Sequence, residues 1–595
     1  MKLTSRLPIV FAMLLTISMA IAACAAPPAP VAPTKAAAPT TAPAPTAVTA
    51  PTKAAAPTTA PAPAAAAATT APAAAAFKGM KVEAPDCKYG GEVKSLEAVD
   101  QLTFKMTLCK PDAAIPHKVA PVVMSIQDQD FLNATGGNSL KMSEKPDGTG
   151  PYVLKEWVRG DHITFEADPN YWGPAPKSKT LVFRWSKEAA QRLLELKSGT
   201  VDGIDNPNPE DYDSIKQSAD LKLLNRSGQP NTFYIGLNNL KPPLDNEKVR
   251  QAIAMSIDKE RLLKNFYPAG SMVAEQFVPP SFKPGYSTEG DGAKWYKPDP
   301  AAAKALLAEA GFPNGIDLTL GYRDVVRSYL PLPGKVAQDL QAQLAPAGIR
   351  LKIAPLDSSA FVQSVSSGQQ QIFLYGWGAD YPDPTNFYDF HLTGAIQNFG
   401  KTYPDLVEAI NAAALENDPV ERQKKYDTVN ALVKKHVPLI PMMHGTSAAV
   451  FKGATDGAYV ALVGGEKFRY MGNNNKGPFV WMQGAEPSAL WCADTLDGES
   501  QRACGQLAES LVAYKPGTLE LGPNLAEKWE ANKDLTEWTF TLRPGVKFHS
   551  GATLDANDVV STFAAQWDAK NPNHKGQTGG FEYWAGVFGP FLNGK

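Results

Sequence analysis

Two alternating apolar stretches, IDLTLGY at 316–322 and IRLKIAPL at 349–356, flank a helical stretch around KVAQDLQAQLAPAG at 335–348. Strand, helix, strand in that order is the unit of a parallel sheet. The rest of the globular part repeats the alternation of element types. In SLEAVDQLTFKMTLC (95–109), Leu102, Phe104, Met106 and Leu108 share one face, with Thr103, Lys105 and Thr107 opposite, which marks a half-buried strand. A second strand precedes it, with a turn at Asp100. In DNEKVRQAIAMSIDKERLL (245–263), Val249, Ala252, Ile253, Ser256 and Ile257 fall at helical spacing, and Asp245 is placed to cap the first turn. DPAAAKALLAEAGF is a helix stopped by Gly311 and Pro313. WTFTLRPGVKFHSGATLDANDVVSTFAAQW (538–567) gives two strands, a turn at Ser550-Gly551 and a helix capped by Asp555. The class is α/β or α+β with several lobes.

None of this begins before Phe77. Residues 1–24, MKLTSRLPIVFAMLLTISMAIAAC, have a basic start at Lys2 and Arg6, an apolar run and small residues before Cys24, the pattern of a secretory signal. The run is broken by Pro8 and short for a membrane span. Ile21-Ala22-Ala23-Cys24 resembles a lipobox, which makes Cys24 the candidate lipidation site. Residues 25–77 are almost wholly Ala, Pro and Thr, and APTKAAAPTTAPAP occurs twice, from Ala32 and from Ala50. Such a stretch buries no core and reads as an extended tether. At ~3 Å per residue it reaches on the order of 150 Å.

Charge and cysteine count narrow the partners. Lys+Arg 58 against Asp+Glu 60 leaves no basic field, which argues against nucleic acid and anionic surfaces. With Cys24 set aside, an even set remains: Cys87, Cys109, Cys492 and Cys504. In an exported chain these read as two local disulfides, Cys87–Cys109 and Cys492–Cys504, or else as four free thiols. MGNNNKGPFVWM at 471–482 holds neither helix nor strand across its asparagines and glycines, so it reads as a connection.

Four stretches resemble the dipeptide-, oligopeptide- and nickel-binding group of extracellular solute-binding proteins of ABC transporters, family 5. They are GTGPYVLKEWVRGDHITFEADPNYW (148–172), FYIGLNNLKPPLDNEKVRQAIAMSIDKERLL (233–263), YGWGADYPDPTNF (375–387) and LGPNLAEKWEANKDLTEWTFTLRPGVKFHSGATLDANDVV (521–560). In that family the section resembling 478–595 comes before the one resembling 78–471. The resemblance therefore implies a circular permutation, with the loop 472–477 joining the family's usual C- and N-termini. It implies an α/β fold of the type II periplasmic-binding-protein kind, with two main lobes and an extra subdomain. Base lobe I would be 142–232, 452–471 and 478–513; lobe II 233–451; and the subdomain 78–141 with 514–595.

The candidate site lies in YGWGADYPDPTNF. Gly376, Trp377, Asp380 and Tyr381 sit in a Gly- and Pro-rich loop at a strand end. A carboxylate among aromatic rings can hold a cation by charge pairing and cation–π contact. Alternatively Asp380 caps its own turn, and Asp383 serves the turn beside it. The resemblance implies that Asp380 pairs with a peptide's α-amino group. It also implies that WCADTLDGESQRAC (491–504) lies opposite the cleft, with Asp497, Glu499 and Ser500 toward the ligand. Catalysis has little behind it. The seven histidines make no HExxH, and neither a G-x-S-x-G elbow nor a phosphate loop is present. His549 in KFHSG reads as a turn residue.

The implied function is capture of di- or oligopeptides between hinged lobes by a monomeric, non-enzymatic protein without cofactor or metal. Its partners would be an ABC permease with its ATPase, and the membrane through a lipid anchor on the outer face of the cytoplasmic membrane. An oligosaccharide on the eleven tryptophans, a metal chelate or haem, or a ligand-binding lipoprotein outside transport are the other readings.

Overall fold

A computed structural model describes residues 77–394, 398–474, 476–495 and 497–594. The signal segment, Cys24 and all but the last residue of the tether lie outside them.

Three sheets carry the fold. The first has the order Lys81–Glu83, Val93–Asp100, Thr103–Leu108, Glu537–Leu542, Ala526–Ala531. Thr103–Leu108 turns Phe104, Met106 and Leu108 inward as its alternation predicts, and burying each such side chain contributes ~1.5–3 kcal/mol. The helix Ala556–Trp567 packs on this sheet and starts with a reciprocal cap between Asp555 and Asp558.

The second sheet runs Met272–Val273, Leu439–His444, Asn231–Leu237, Ile372–Gly378, Ile316–Arg323, Ile349–Leu356. Ile316–Arg323 and Ile349–Leu356 are parallel neighbours, with Pro333–Leu344 as the helix between them. Every residue of Asn231–Leu237 is buried, as an interior strand covered on both faces should be. The helix Glu247–Met255 starts one residue later than its predicted cap. Asn246, rather than Asp245, accepts from the Lys248 N–H at 3.0 Å.

The third sheet has the order Tyr152–Val158, His162–Ala167, Thr180–Trp185, Phe479–Gln483, Gly203–Asp205, Ala448–Lys452, Leu221–Asn225. Phe479–Gln483 follows directly on the Asn-rich connection, where Asn474 (φ 58°) and Gly477 (φ 102°) take left-handed conformations. This strand inserts parallel between Thr180–Trp185 and Gly203–Asp205. Segments distant in sequence therefore complete one sheet. A buried charge cluster fixes their relative position: Arg226 meets Asp205 at 2.8 Å and Glu466 at 2.7 Å, and Arg502 meets the same acids at 3.1 and 2.8 Å.

Both predicted disulfide pairings are present, Cys87–Cys109 and Cys492–Cys504. His549 is structural: its Nε2 lies 3.0 Å from the Gly150 carbonyl, and its backbone N–H donates to Gly148.

Candidate functional site

Ile372–Gly378 is an interior strand, antiparallel to Asn231–Leu237 and parallel to Ile316–Arg323. It leads through a tight loop into the helix Thr385–Leu392. Gly376 sits under the Tyr329 ring, where an added Cβ would come within 2.4 Å of the ring. Its lack of a side chain makes room for Tyr329 rather than for a ligand. Trp377 stacks on Phe390 with ring centres 4.5 Å apart and donates from Nε1 to Asn386 Oδ1 at 3.0 Å.

The same Asn386 oxygen accepts the Asp380 backbone N–H at 3.0 Å, and Asn386 Nδ2 donates to Asp380 Oδ2 at 3.3 Å. One asparagine thus fixes both the loop and the carboxylate. Burial pushes the Asp380 carboxyl up to about 6, with Tyr583 and Asn386 beside it partly offsetting that. No cationic side chain among the described residues acts on it. A half-buried carboxylate with no cationic side chain beside it is a candidate place for a cation.

Tyr381 departs from its expected role as a second aromatic wall. It is 1% exposed and packs in the core around the first sheet, its hydroxyl 3.3 Å from Thr385 Oγ1. Its ring is worth more buried there than at a wet cleft. Asp383 does serve the turn: it accepts from Thr385 N–H and Oγ1 at 3.0 and 2.8 Å and takes a two-pronged ion pair from Arg422 at 2.8 and 3.0 Å.

Across from this loop, the Cys492–Cys504 bond ties the turn Cys492–Asp494 to the helix Gly498–Leu507. Asp497 and Ser500 have local duties at the start of that helix. Asp497 caps it by accepting from the Ser500 N–H at 2.7 Å, and the fully buried Ser500 hydroxyl accepts from the Ser488 N–H at 2.7 Å. The first-turn N–H groups need acceptors, which holds Asp497, while Ser500 is held by the Ser488 loop. Glu499 meets Arg327, which follows the strand Ile316–Arg323 of the second sheet, at 3.5 Å.

Asp380 opens onto a cavity of about 780 Å³, solvent-filled mouth included, with Tyr459, Val463, Lys467 and Tyr514 among its walls. No local pattern marks Tyr514 or Tyr583, which the tertiary fold alone brings beside Asp380, nor Lys467, which shares its cavity. Asn386 was in plain view within the quoted segment. Among the described residues no His, Cys, Asp or Glu group is arranged to hold a metal ion, and no helix is long and apolar enough to cross a membrane.

The mixed α/β fold is of the type II periplasmic-binding-protein kind. Comparison with known proteins agrees. The model of bacterial extracellular solute-binding proteins, family 5, matches residues 46–399 and 520–582, and the chain belongs to that family. It is 29% identical over 361 residues to the dipeptide-binding protein of Escherichia coli, covering 60% of this chain and 66% of that protein. It is 30% identical over 370 residues to heme-binding protein A of Haemophilus influenzae, covering 61% and 66%. The matched stretch thus spans about two thirds of these curated relatives. Among solved structures, a dipeptide-binding protein from Pseudoalteromonas sp. SM9913 in complex with Met-Leu aligns with TM-score 0.58 and 23% identity, over 64% of this chain and 73% of that one. HbpA2 from Haemophilus parasuis aligns with TM-score 0.52 and 29% identity, over 64% and 75%.

Proposed function

We propose that this protein captures short peptides between two hinged lobes and delivers them to an ABC permease, held at the membrane by a lipid on Cys24. The observation that carries the peptide reading is the half-buried Asp380, with no cationic side chain acting on it, facing a cavity. A peptide's α-ammonium supplies the missing charge, whereas an uncharged sugar leaves the carboxylate unpaired. Relatives named for dipeptides and di/tripeptides support it. Lobe II, 233–451, takes in most of the second sheet, whose strand Asn231–Leu237 starts two residues earlier, while Ala448–Lys452 at the far end of that range pairs in the third sheet. Base lobe I (142–232, 452–471, 478–513) is built on the third, and the extra subdomain (78–141, 514–595) on the first. Ligand favours the closed form only through contacts it makes with both sides. Native mass spectrometry of the exported protein, followed by calorimetry with di- and tripeptides, an oligosaccharide and haem, tests the reading. A sugar or haem that binds where peptides do not would overturn it.

We further infer that the chain is a circular permutant, with 472–477 as the joining loop. Two observations support this. The strand Phe479–Gln483 sits mid-sheet among strands from much earlier in the chain. The start and end of the described chain lie together: Glu92 N–H donates to the Phe588 carbonyl at 2.8 Å, and Asn557 bonds to Lys78 and Met80.

A further inference from the structure

The turn Cys492–Asp494, tied to the helix Gly498–Leu507 by its disulfide, ends in a carboxylate directed at a distant loop, 576–581. Asp494 is 9% exposed, and its two oxygens gather that loop. Oδ2 accepts the Gln577, Thr578 and Gly579 N–H groups at 2.7, 2.5 and 3.2 Å, and Oδ1 accepts the Phe581 N–H at 2.9 Å. Thr578 Oγ1 lies 3.1 and 3.0 Å from the same two oxygens. Gly576 and Gly579 take left-handed conformations, φ 53° and 76°, and a Cβ at Gly576 would stand 2.4 Å from Oδ2. Backbone curled in this way makes a seat for an anion. Here the protein's own carboxylate fills it.

The loop leads into the helix Glu582–Phe588, which begins without a side-chain cap. Phe581, just before it, is left-handed at φ 35°. Such a conformation is costly for an aromatic residue and persists only where its surroundings impose it. The Asp494 bond holds the Phe581 N–H, while Trp491 and His574 hold its ring at 6.0 and 4.6 Å. The helix buries Trp584, Val587 and Phe588 in the core around the first sheet. Tyr583 and Gly586, three residues apart and so on one face, bear instead on the candidate site. Tyr583 stands beside Asp380, and Gly586 lies against the Phe390 ring that stacks on Trp377. Gln577 and Thr578 are exposed, so water can satisfy their N–H groups without Asp494. What the fixed carboxylate adds is position.

We propose that Asp494 is a positioning residue for the amine subsite: by seating the loop 576–581 it fixes where the helix Glu582–Phe588 sets the Tyr583 phenol against Asp380. This rests on the peptide reading above and deepens it. Asp494 acts through Tyr583 rather than on the ligand itself. With Asn386 on Asp380 Oδ2, the phenol is the second group that orients the carboxyl toward an incoming ammonium. A displaced helix therefore weakens binding of a free amine and leaves the peptide's other contacts alone.

The test is calorimetry at pH 7 with one tight-binding peptide, its N-acetyl form and its C-terminal amide. The proteins are the unaltered chain, Asp494→Ala, Asp494→Asn, Tyr583→Phe, and Asp494→Asn combined with Tyr583→Phe. Thermal melts establish which are folded at the binding temperature. Asp494→Asn keeps the shape and one acceptor oxygen, so it carries the test if Asp494→Ala unfolds. Asp494→Ala and Tyr583→Phe are each expected to lower affinity for the free peptide roughly tenfold or more, and Asp494→Asn by less. Each should shrink the penalty for N-acetylation, while amidation at the other end costs every variant what it costs the unaltered protein. The combined variant should bind about as weakly as Tyr583→Phe alone, because both changes act on one contact. A merely structural Asp494 would lower the melting temperature and leave the affinity and the acetylation penalty unchanged. That result overturns the inference while the peptide reading stands, and so do additive losses in the combined variant. Tyr583→Phe also decides by itself: an unchanged acetylation penalty there removes the group through which Asp494 acts. If no peptide binds the unaltered protein, the peptide reading and the inference fall together.

Discussion

At Asp380 the physics of one residue sets the behaviour of the site. Its carboxyl is held up to about 6 in the ligand-free fold, against about 3.9 in an unfolded chain. A raised acid favours the fold fully below its unfolded value and loses that contribution as pH rises through its folded value. Asp380→Asn should therefore leave stability unchanged near pH 4 and raise it by at most about 3 kcal/mol above pH 7. Thermal melts at the two pH values check this, and equal shifts at both would contradict it. Binding runs the other way, because a peptide ammonium needs the carboxylate ionised. Affinity should fall below pH 6 by up to about tenfold per unit, and the fall should vanish in Asp380→Asn. At pH 7 that variant and N-acetylation should each cost ~2–5 kcal/mol and be strongly non-additive. Fully additive losses in calorimetry would mean that the amine sits elsewhere. The sequence made the loop legible because its glycines, prolines and aromatics are local. Local pattern does not place Tyr381, whose burial is decided by the first sheet's core, or Asn386, whose two hydrogen bonds with Asp380 depend on how the next helix turns.

Elements were easier to read than contacts, for the same reason. Thr103–Leu108 and the Ile316–Arg323/Ile349–Leu356 pair follow from side-chain period alone. The cap of Glu247–Met255 falls on Asn246, one residue after Asp245, because both are good caps and the backbone decides between them. The pairing of Phe479–Gln483 with two early strands leaves no trace in local pattern. The cysteine pairs were legible by spacing, and they support a prediction at this scale. Bridges over separations of 22 and 12 residues typically contribute ~2–4 kcal/mol. Cys492→Ala with Cys504→Ala should lower stability by that order, and unreduced peptide mapping of the unaltered protein should return the two local pairs. Crossed pairs or free thiols would refute the assignment. Helix-to-helix packing yields another prediction. A Cβ at Gly586, on the helix Glu582–Phe588, would come within 2.1 Å of the Phe390 ring that stacks on Trp377. Gly586→Ala should cost ~1–3 kcal/mol by overpacking and weaken peptide binding through the disturbed Trp377–Asn386 clip. Unchanged affinity would show that the last helix does not bear on the cleft when ligand is bound.

For the molecule as a whole, chain order and architecture are separable. Each sheet here is assembled from segments on both sides of the loop 472–477 or from within one lobe, and none depends on that loop for its pairings. The ends of the described chain meet on the first sheet's side, where a Cβ added at Gly589 would stand 3.3 Å from the Gly91 Cα. Moving residues 478–595 ahead of residue 78, with a short linker across that meeting point, changes two loop closures and no packed contact. Closure entropy varies slowly with loop length, by ~0.6 kcal/mol per doubling, and cuts at exposed loops are tolerated when the ends lie close. The reordered protein should therefore be soluble, unfold in one transition, and keep the same ranking among peptide, peptide amide and N-acetyl peptide. Calorimetric melting and the same binding series measure this. Two independent transitions from the reordered chain, or a changed ligand ranking, would mean that the present order of segments shapes the cleft and that the permutation reading is wrong.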